Sequence, residues 1–318
     1  MRVLHTLKDF PKKTGPVFLA IGCFDGLHIG HRAVIQKAIH QARAQQGVAW
    51  VLTFSPHPAQ LLDPIHAPPL IHAPSQFLRG LQEMGLHGTL LHPFNKTFIQ
   101  TPPAQFLSQL LEAIPHLAGI CVGEDWSFGK DRAGNIDLLA SFCQANHLHF
   151  TAIPPICWKA ERVSSTRIRE AIRLGHLHEA AAMLGAPPAT VGTVTHGEKI
   201  GRKLGFPTAN IDPENQLLPP RGIYAAQLRI GQHLHPAAAY IGHRGTFCQN
   251  QPQVLEVHLI DHPPIDLYET QVELLYLEYI RPDRIFKNPD KLIQQIKLDL
   301  AAIRTFFKKG QSPKEPNG

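Results

Sequence analysis

The sequence predicts two domains of different class: an α/β domain built on a parallel sheet, then a closed β-barrel followed by a long C-terminal helix. Three observations predict it. Residues 1–184 alternate short apolar runs with helical patterns, the alternation that builds a parallel sheet covered on both faces. After Gly185-Ala186-Pro187-Pro188 the runs become β-like and are separated by Gly, Pro and Asn clusters, which suits a barrel. From Pro289 onward Leu292, Ile293, Ile296, Leu300 and Ile303 recur at helical spacing, so one face of a terminal helix is apolar.

Taken in order, strands are predicted over 17–23, 48–54, 88–93, 119–123 and 149–153. Helices are predicted over 30–46, 75–84, 103–113, 136–146 and 165–174. Residues 56–74, rich in Pro and His with IHAP at 65–68 and 71–74, read as an irregular surface loop. Beyond the junction, strands are expected over 191–195, 223–230, 237–241, 254–260 and 270–280. The expected division is therefore 1–184, 185–307 and a polar tail over 308–318, expected to be disordered.

Composition narrows the class. Hydrophobic residues make up 43% and charged residues 18% of 318, as in a soluble globular protein. No apolar run approaches the ~20 residues that span a bilayer. The first ten residues include Asp9 and no apolar core, so they are not read as a signal peptide. Five cysteines without a CxxC pair suggest free thiols and a cytoplasmic setting. The net charge of +6 is spread along the chain. It forms no basic stripe with interleaved aromatics, so it suits an anionic small molecule better than nucleic acid or membrane.

The chemistry concentrates in Ile21-Gly22-Cys23-Phe24-Asp25-Gly26-Leu27-His28-Ile29-Gly30-His31-Arg32. A buried strand ends here and a helix begins. His28 and His31 are three apart and share a helical face. They lie where free N–H groups and the helix dipole favour an anion. Two imidazoles there can hold a phosphate and stabilise charge developing on it. Gly30 lets a flat group approach the backbone.

Three further stretches fall at strand ends, the ligand-binding edge of such a sheet: Thr53–Pro58, Gly123–Gly129 and Val163–Arg169. In the last, Ser164 or Ser165 is a good N-cap. A second strong signal follows the junction, Gly201-Arg202-Lys203-Leu204-Gly205-Phe206-Pro207-Thr208-Ala209-Asn210. Its glycines let N–H groups turn towards phosphates, yet GxxxxGK[ST] is absent. The Thr208 hydroxyl and Asn210 carbonyl are hard oxygens suited to Mg²⁺. Glu256 lies in an apolar run whose alternation puts Leu255, Val257 and Leu259 on the core side and Glu256 on the other. A general base towards a substrate hydroxyl and a solvated rim carboxylate are both open for it from its own surroundings.

The order strand, Phe-Asp-Gly, His-x-Gly-His, helix resembles the nucleotidylyltransferases, whose Rossmann-like fold is similar to the core of class I aminoacyl-tRNA synthetases. With Asp25 and the three stretches included, the first domain resembles the adenylyltransferase half of the bacterial bifunctional riboflavin kinase/FAD synthetases. Residues 201–211, with 221–225, 255–258 and 280–283, resemble their riboflavin kinase signature, so the resemblance covers about residues 14–307. The resemblance implies two ATP-dependent reactions: riboflavin to FMN, then FMN to FAD with release of pyrophosphate. It implies that His28 and His31 contact the ATP phosphates, with Gly22, Phe24, Asp25 and Gly30 around them. Ser164, Ser165, Thr166 and Arg167 would close over pyrophosphate, and Asp125 and Phe128 would lie near flavin or nucleotide. In a six-stranded barrel, Gly201 and Arg202 would face phosphate, Thr208 and Asn210 would bind Mg-ATP, Glu256 would deprotonate the ribityl 5′-hydroxyl, and Arg281 would lie at the flavin. Three positions depart from the family pattern: Asn135 for Asp, Tyr240 for Asn and Gly245 for Pro. The implied ligands are riboflavin, FMN, FAD, ATP and Mg²⁺, with neither nucleic acid nor membrane as partner. Alternatives are an adenylyltransferase whose barrel binds flavin but phosphorylates weakly, and a nucleic-acid-binding or flavin-sensing module suggested by the pI near 9.1.

Overall fold

The computed structural model describes residues 1–197, 201, 204–215, 217–243, 253–263, 265–286 and 288–311. The chain divides into two compact units: residues 1–69 with 74–165, and residues 70–73 with 166–318.

The first unit is a six-stranded sheet. Its elements are β1 (Arg2–Leu4), β2 (Val17–Ile21), α1 (Ile29–Ala44), β3 (Val48–Ser55), α2 (Pro58–Leu62), α3 (Pro74–Glu83), β4 (Gly88–Pro93), α4 (Lys96–Ile99), α5 (Pro103–Ala113), β5 (Leu117–Gly123), α6 (Ile136–Ala145) and β6 (His149–Ile153). A short hairpin, β7 (Cys157–Trp158) and β8 (Glu161–Arg162), follows. Strand order is β1-β4-β3-β2-β5-β6, and every pairing is parallel. From β2 the sheet runs to β3 on one side and to β5 on the other, so the crevice between β2 and β5 is the switch point where such sheets bind ligands.

Alternation explains the unbroken apolar strands. In β2, Val17, Leu19 and Ile21 enter one core with Leu52, Ile120 and Val122. Phe18 and Ala20 enter the opposite core with Val51, Cys121 and the α1 residues Val34, Ile35 and Ala38. A strand buried on both faces has no polar side to show.

α7 (Ser165–Arg173) begins at the end of the first unit, and α8 (Leu177–Leu184) follows it. The barrel comprises β9 (Ala189–Thr195), β10 (Ala209–Pro213), β11 (Gly222–Ile230), β12 (His233–His243), β13 (Gln253–Leu259) and β14 (Gln271–Pro282). It closes in the order β10-β13-β12-β11-β14-β9. Its interior holds Val194, Ile211, Tyr224, Ala239, Leu255, Val257 and Tyr276, with Leu177 of α8 among them. α9 (Pro289–Gln311) packs Leu300 and Ile303 against Ala225 and Ile260 on the outside.

Several expectations are corrected. β2 stops at Ile21 and α1 starts at Ile29, because Gly26 takes φ +85° and Leu27 φ +42° between them. The 56–74 loop is not wholly irregular or exposed. It contains α2, capped by His57 Nδ1 on the Ala59 N–H, and buries Ile71 and Ala73. Five barrel runs were expected from periodicity, and the sixth strand, β10, begins in the last two residues of the glycine-rich motif and runs on to Pro213. The terminal helix continues through Gln311, four residues into the stretch expected to be disordered; residues 312–318 lie outside the described residues. Among the described residues no helix is long and apolar enough to cross a membrane.

Candidate active sites

In the first unit the turn after β2 delivers both histidines to the start of α1. His28 is the N-cap: its Nδ1 accepts the His31 backbone N–H at 3.2 Å. Nδ1 is thereby the unprotonated nitrogen, and a neutral ring carries its proton on Nε2. The two imidazoles stack, 3.5 Å between centroids and 21° between planes. Phe24 meets His31 edge-on at 5.4 Å. Gly30 has the role of allowing close approach, and the flat group that approaches is the His28 ring. A Cβ at Gly30 would stand 3.1 Å from it.

A cavity of about 610 Å³ opens here, lined by His28, His31, Phe128, Arg162, Ser164 and Ser165 among others. Gly22, Phe24, Gly30 and Asp125 also border it. Asp25 sits behind, its carbonyl accepting the Ser165 hydroxyl at 3.0 Å. Phe128 stacks on Trp126 at 4.3 Å and 14°. Together with Phe54, Phe94 and Phe98 these rings give the cavity an aromatic side. Arg162, from the β7–β8 hairpin, is ion-paired with Asp125. Burial first, and the Arg162 charge second, push the His28 imidazole down to about 4. His28 is therefore a neutral donor at pH 7.

The barrel brings a second group together. Thr208 Oγ1 donates to Glu256 Oε2 at 3.2 Å. Asn210 and Glu256 are directly paired across β10 and β13. The Asn210 amide lies against Gly197, where a Cβ would fall 2.1 Å from Nδ2. At Gly201 a Cβ would meet the Phe206 carbonyl at 2.4 Å and Thr208 Oγ1 at 3.0 Å. Any larger residue there would have to displace the Phe206 carbonyl, with Thr208 Oγ1 next in line. Leu255 and Val257 face the barrel interior, so Glu256 projects outward, as its alternation predicts. Arg281 makes a two-point ion pair with Asp299 of α9, at 2.9 and 2.7 Å, and both side chains are almost buried.

Comparison with known proteins gives a separate family model for each of two parts of the chain. A family model described as FAD synthetase matches residues 10–167, and one described as riboflavin kinase matches residues 184–307. A bifunctional riboflavin kinase/FMN adenylyltransferase of Listeria monocytogenes is 35% identical over 294 residues, 92% of each chain. The protein of that name from Escherichia coli K12 is 35% identical over 308 residues, 96% of this chain and 97% of that one. The chain belongs to the bifunctional riboflavin kinase/FMN adenylyltransferase family. A crystal structure described as a macrolide-efflux protein from Streptococcus pneumoniae superposes with a TM-score of 0.85 at 30% identity, covering 95% of this chain and 98% of that one; the efflux role is stated of that protein alone.

Within this bifunctional enzyme the fold gathers ten of the expected residues around the first-unit cavity: Gly22, Phe24, Asp25, His28, Gly30, His31, Asp125, Phe128, Ser164 and Ser165. Thr166 and Arg167 follow in α7, which the second unit claims from residue 166. At the barrel, Gly201, Thr208, Asn210 and Glu256 come together. Arg202 and the loop containing Gly245 lie outside the described residues. Asn135 caps α6 by accepting the Leu138 N–H at 3.0 Å, a task Asp performs equally. Phe54 lies in the Thr53–Pro58 stretch expected at the ligand-binding edge, while sequence reasoning missed Arg162, Phe94 and Phe98. The i,i+4 spacing of the last two was a usable signal; a lone arginine in a two-residue strand offered none.

Proposed function

We propose that the bifunctional enzyme adenylylates FMN at the His28–His31 cavity and phosphorylates riboflavin at the Thr208–Asn210–Glu256 group, with the functional division after Leu184. The observation that carries the first assignment is the stacked His pair at the start of α1, open to a cavity with an aromatic side. The flavin ring lies against Phe128 and Trp126. FMN phosphate attacks the α-phosphorus of ATP, and pyrophosphate leaves. His28 donates through Nε2–H to a phosphate oxygen, and His31 and the α1 N-terminus add to that field. Gly22, Phe24, Asp25 and Gly30 shape the turn. Ser164, Ser165, Thr166 and Arg167 hold the leaving pyrophosphate, and Arg162 exchanges Asp125 for its negative charge.

At the barrel, Glu256 accepts the proton of the riboflavin 5′-hydroxyl as it attacks the γ-phosphorus of a second ATP. The hydroxyl, amide and carboxylate oxygens that converge there are the hard donor set of Mg²⁺. Thr208 and Asn210 would hold that ion. Bound there, Mg²⁺ would neutralise charge on the transferring phosphoryl group. Gly201 and Arg202 are the phosphate-binding residues in this reading. Arg281, engaged by Asp299, serves the flavin site through the β14 end it anchors. The ligands are riboflavin, FMN and ATP; nucleic acid and membrane are not partners, and the working compartment is the cytoplasm.

The test is one time course. With riboflavin and Mg-ATP, FMN should appear first and FAD second; with FMN supplied, FAD should form without delay. FAD from FMN with no riboflavin phosphorylation would select the reading in which the barrel only binds flavin.

A further inference from the structure

β12 and β13 pair so that Tyr240 stands opposite Glu256, and β13 pairs with β10 so that Glu256 stands opposite Asn210. Directly paired residues project from the same face. Phenol, carboxylate and amide therefore form one row on the outside of the barrel, since the neighbours Ala239, Ile241, Leu255 and Val257 fill the inside. The Tyr240 ring leans along its own strand over Gly242. A Cβ at Gly242 would stand 2.0 Å from the phenol oxygen, so only glycine admits this rotamer.

The hydroxyl ends on Asp283, donating to Oδ2 at 3.2 Å. The other Asp283 oxygen accepts the Arg284 N–H at 2.8 Å. Two residues earlier, Arg281 is locked to Asp299. The chain leaving β14 is thus tied twice, to α9 through Arg281 and to β12 through Tyr240. Burial, Asp283 and Glu256 all raise the phenol's ionisation above its ordinary range, so it remains a donor throughout the physiological range.

We propose that Tyr240 is a positioning residue for riboflavin phosphorylation: it tethers the segment after β14 beside the row that carries Glu256, and so fixes where the substrate hydroxyl stands relative to that carboxylate. This rests on the reading of Glu256 as the base. Removing one hydrogen bond to a charged group is worth about tenfold, and a misplaced substrate loses turnover as well as binding.

The test uses the full chain and four variants: Y240F, D283A, the double variant and E256Q. Y240F retains the ring and removes only the tether. It should lower kcat/KM for riboflavin about tenfold, leave the KM for ATP unchanged, and leave FMN adenylylation by the same preparation intact. D283A should lower it at least as far, since it also loses the Arg284 N–H contact, and the double variant should be no worse than D283A, because the Tyr240–Asp283 hydrogen bond is already gone there. Wild-type riboflavin kinetics in Y240F, or additive losses in the double variant, would overturn the proposal. E256Q separates the two readings. If it retains turnover, the base assignment falls; if it is inactive while Y240F matches wild type, the tether alone falls.

Discussion

His28 caps α1 with one ring nitrogen, accepting the His31 N–H at 3.2 Å, while its ring stacks on the His31 ring at 3.5 Å. The donor on the other nitrogen is thus held by two independent contacts before any substrate arrives. That pre-organisation is what electrostatic stabilisation of a developing charge requires.

His31→Ala should abolish FAD formation, by ~100- to 1000-fold, and leave FMN formation largely intact. The two activities are read from one reaction by separating FMN from FAD. Equal loss of both in a folded variant would show that the sites are not separable.

The depressed His28 ionisation makes stability depend on pH. Between the unfolded value of 6.5 and the folded value of about 4, the unfolded chain binds the proton and the folded chain does not. Stability therefore falls as pH falls through this window, by on the order of 3 kcal/mol for the full shift. His28→Asn keeps a cap acceptor and removes the titration. Melting curves from pH 7 to 4.5 should fall less steeply for the variant than for the parent; parallel curves would refute this.

Arg162 lowers the His28 value by its charge. In Arg162→Ala the imidazole should titrate higher, closer to 6.5, as followed by NMR of the ring protons. FAD formation should fall with it, since the cavity loses a cation facing pyrophosphate. An unmoved His28 titration would leave burial as the whole cause.

Glu256→Gln keeps the shape of the row and removes the base. Kinase turnover should fall by ~100- to 10,000-fold, with FAD still made from supplied FMN. Near-normal riboflavin phosphorylation would leave Mg²⁺ and positioning as the source of rate.

Asp299→Ala should destabilise the barrel by ~3–5 kcal/mol, because it strands a nearly buried Arg281 charge. Replacing both partners with apolar residues should recover most of that loss. Denaturant melts of the three proteins decide it.

Much of this was legible because the chemistry is local. The His pair, the Thr208–Asn210 spacing and the outward face of Glu256 follow from short patterns whose periodicity survives folding. β10 did not show itself: Ala209-Asn210-Ile211-Asp212-Pro213 has little β-propensity, and only long-range pairing to β9 and β13 makes it a strand. Leu177 falls outside every element expected from the sequence, and the barrel interior claims it. The contact between Arg162 and Asp125 joins a hairpin to a strand end, and no sequence spacing encodes such a meeting. Tyr240 was visible as a departure from the family pattern, yet its partner Asp283 was not.

The segment 70–73 has a consequence for synthesis. Ile71 and Ala73 are buried, and the Ile71 carbonyl accepts the Asn215 amide at 3.1 Å across 144 residues of chain. A ribosome adding ~5–20 residues per second needs roughly 7–30 s to make that stretch. Throughout it, two apolar side chains that belong to the second unit wait in water without their partners. The second unit is completed by a piece translated long before the rest of it, so slowing translation between β4 and β9 should prolong the exposure of a sticky segment, and chaperone demand should peak before the barrel's first strand has left the exit tunnel.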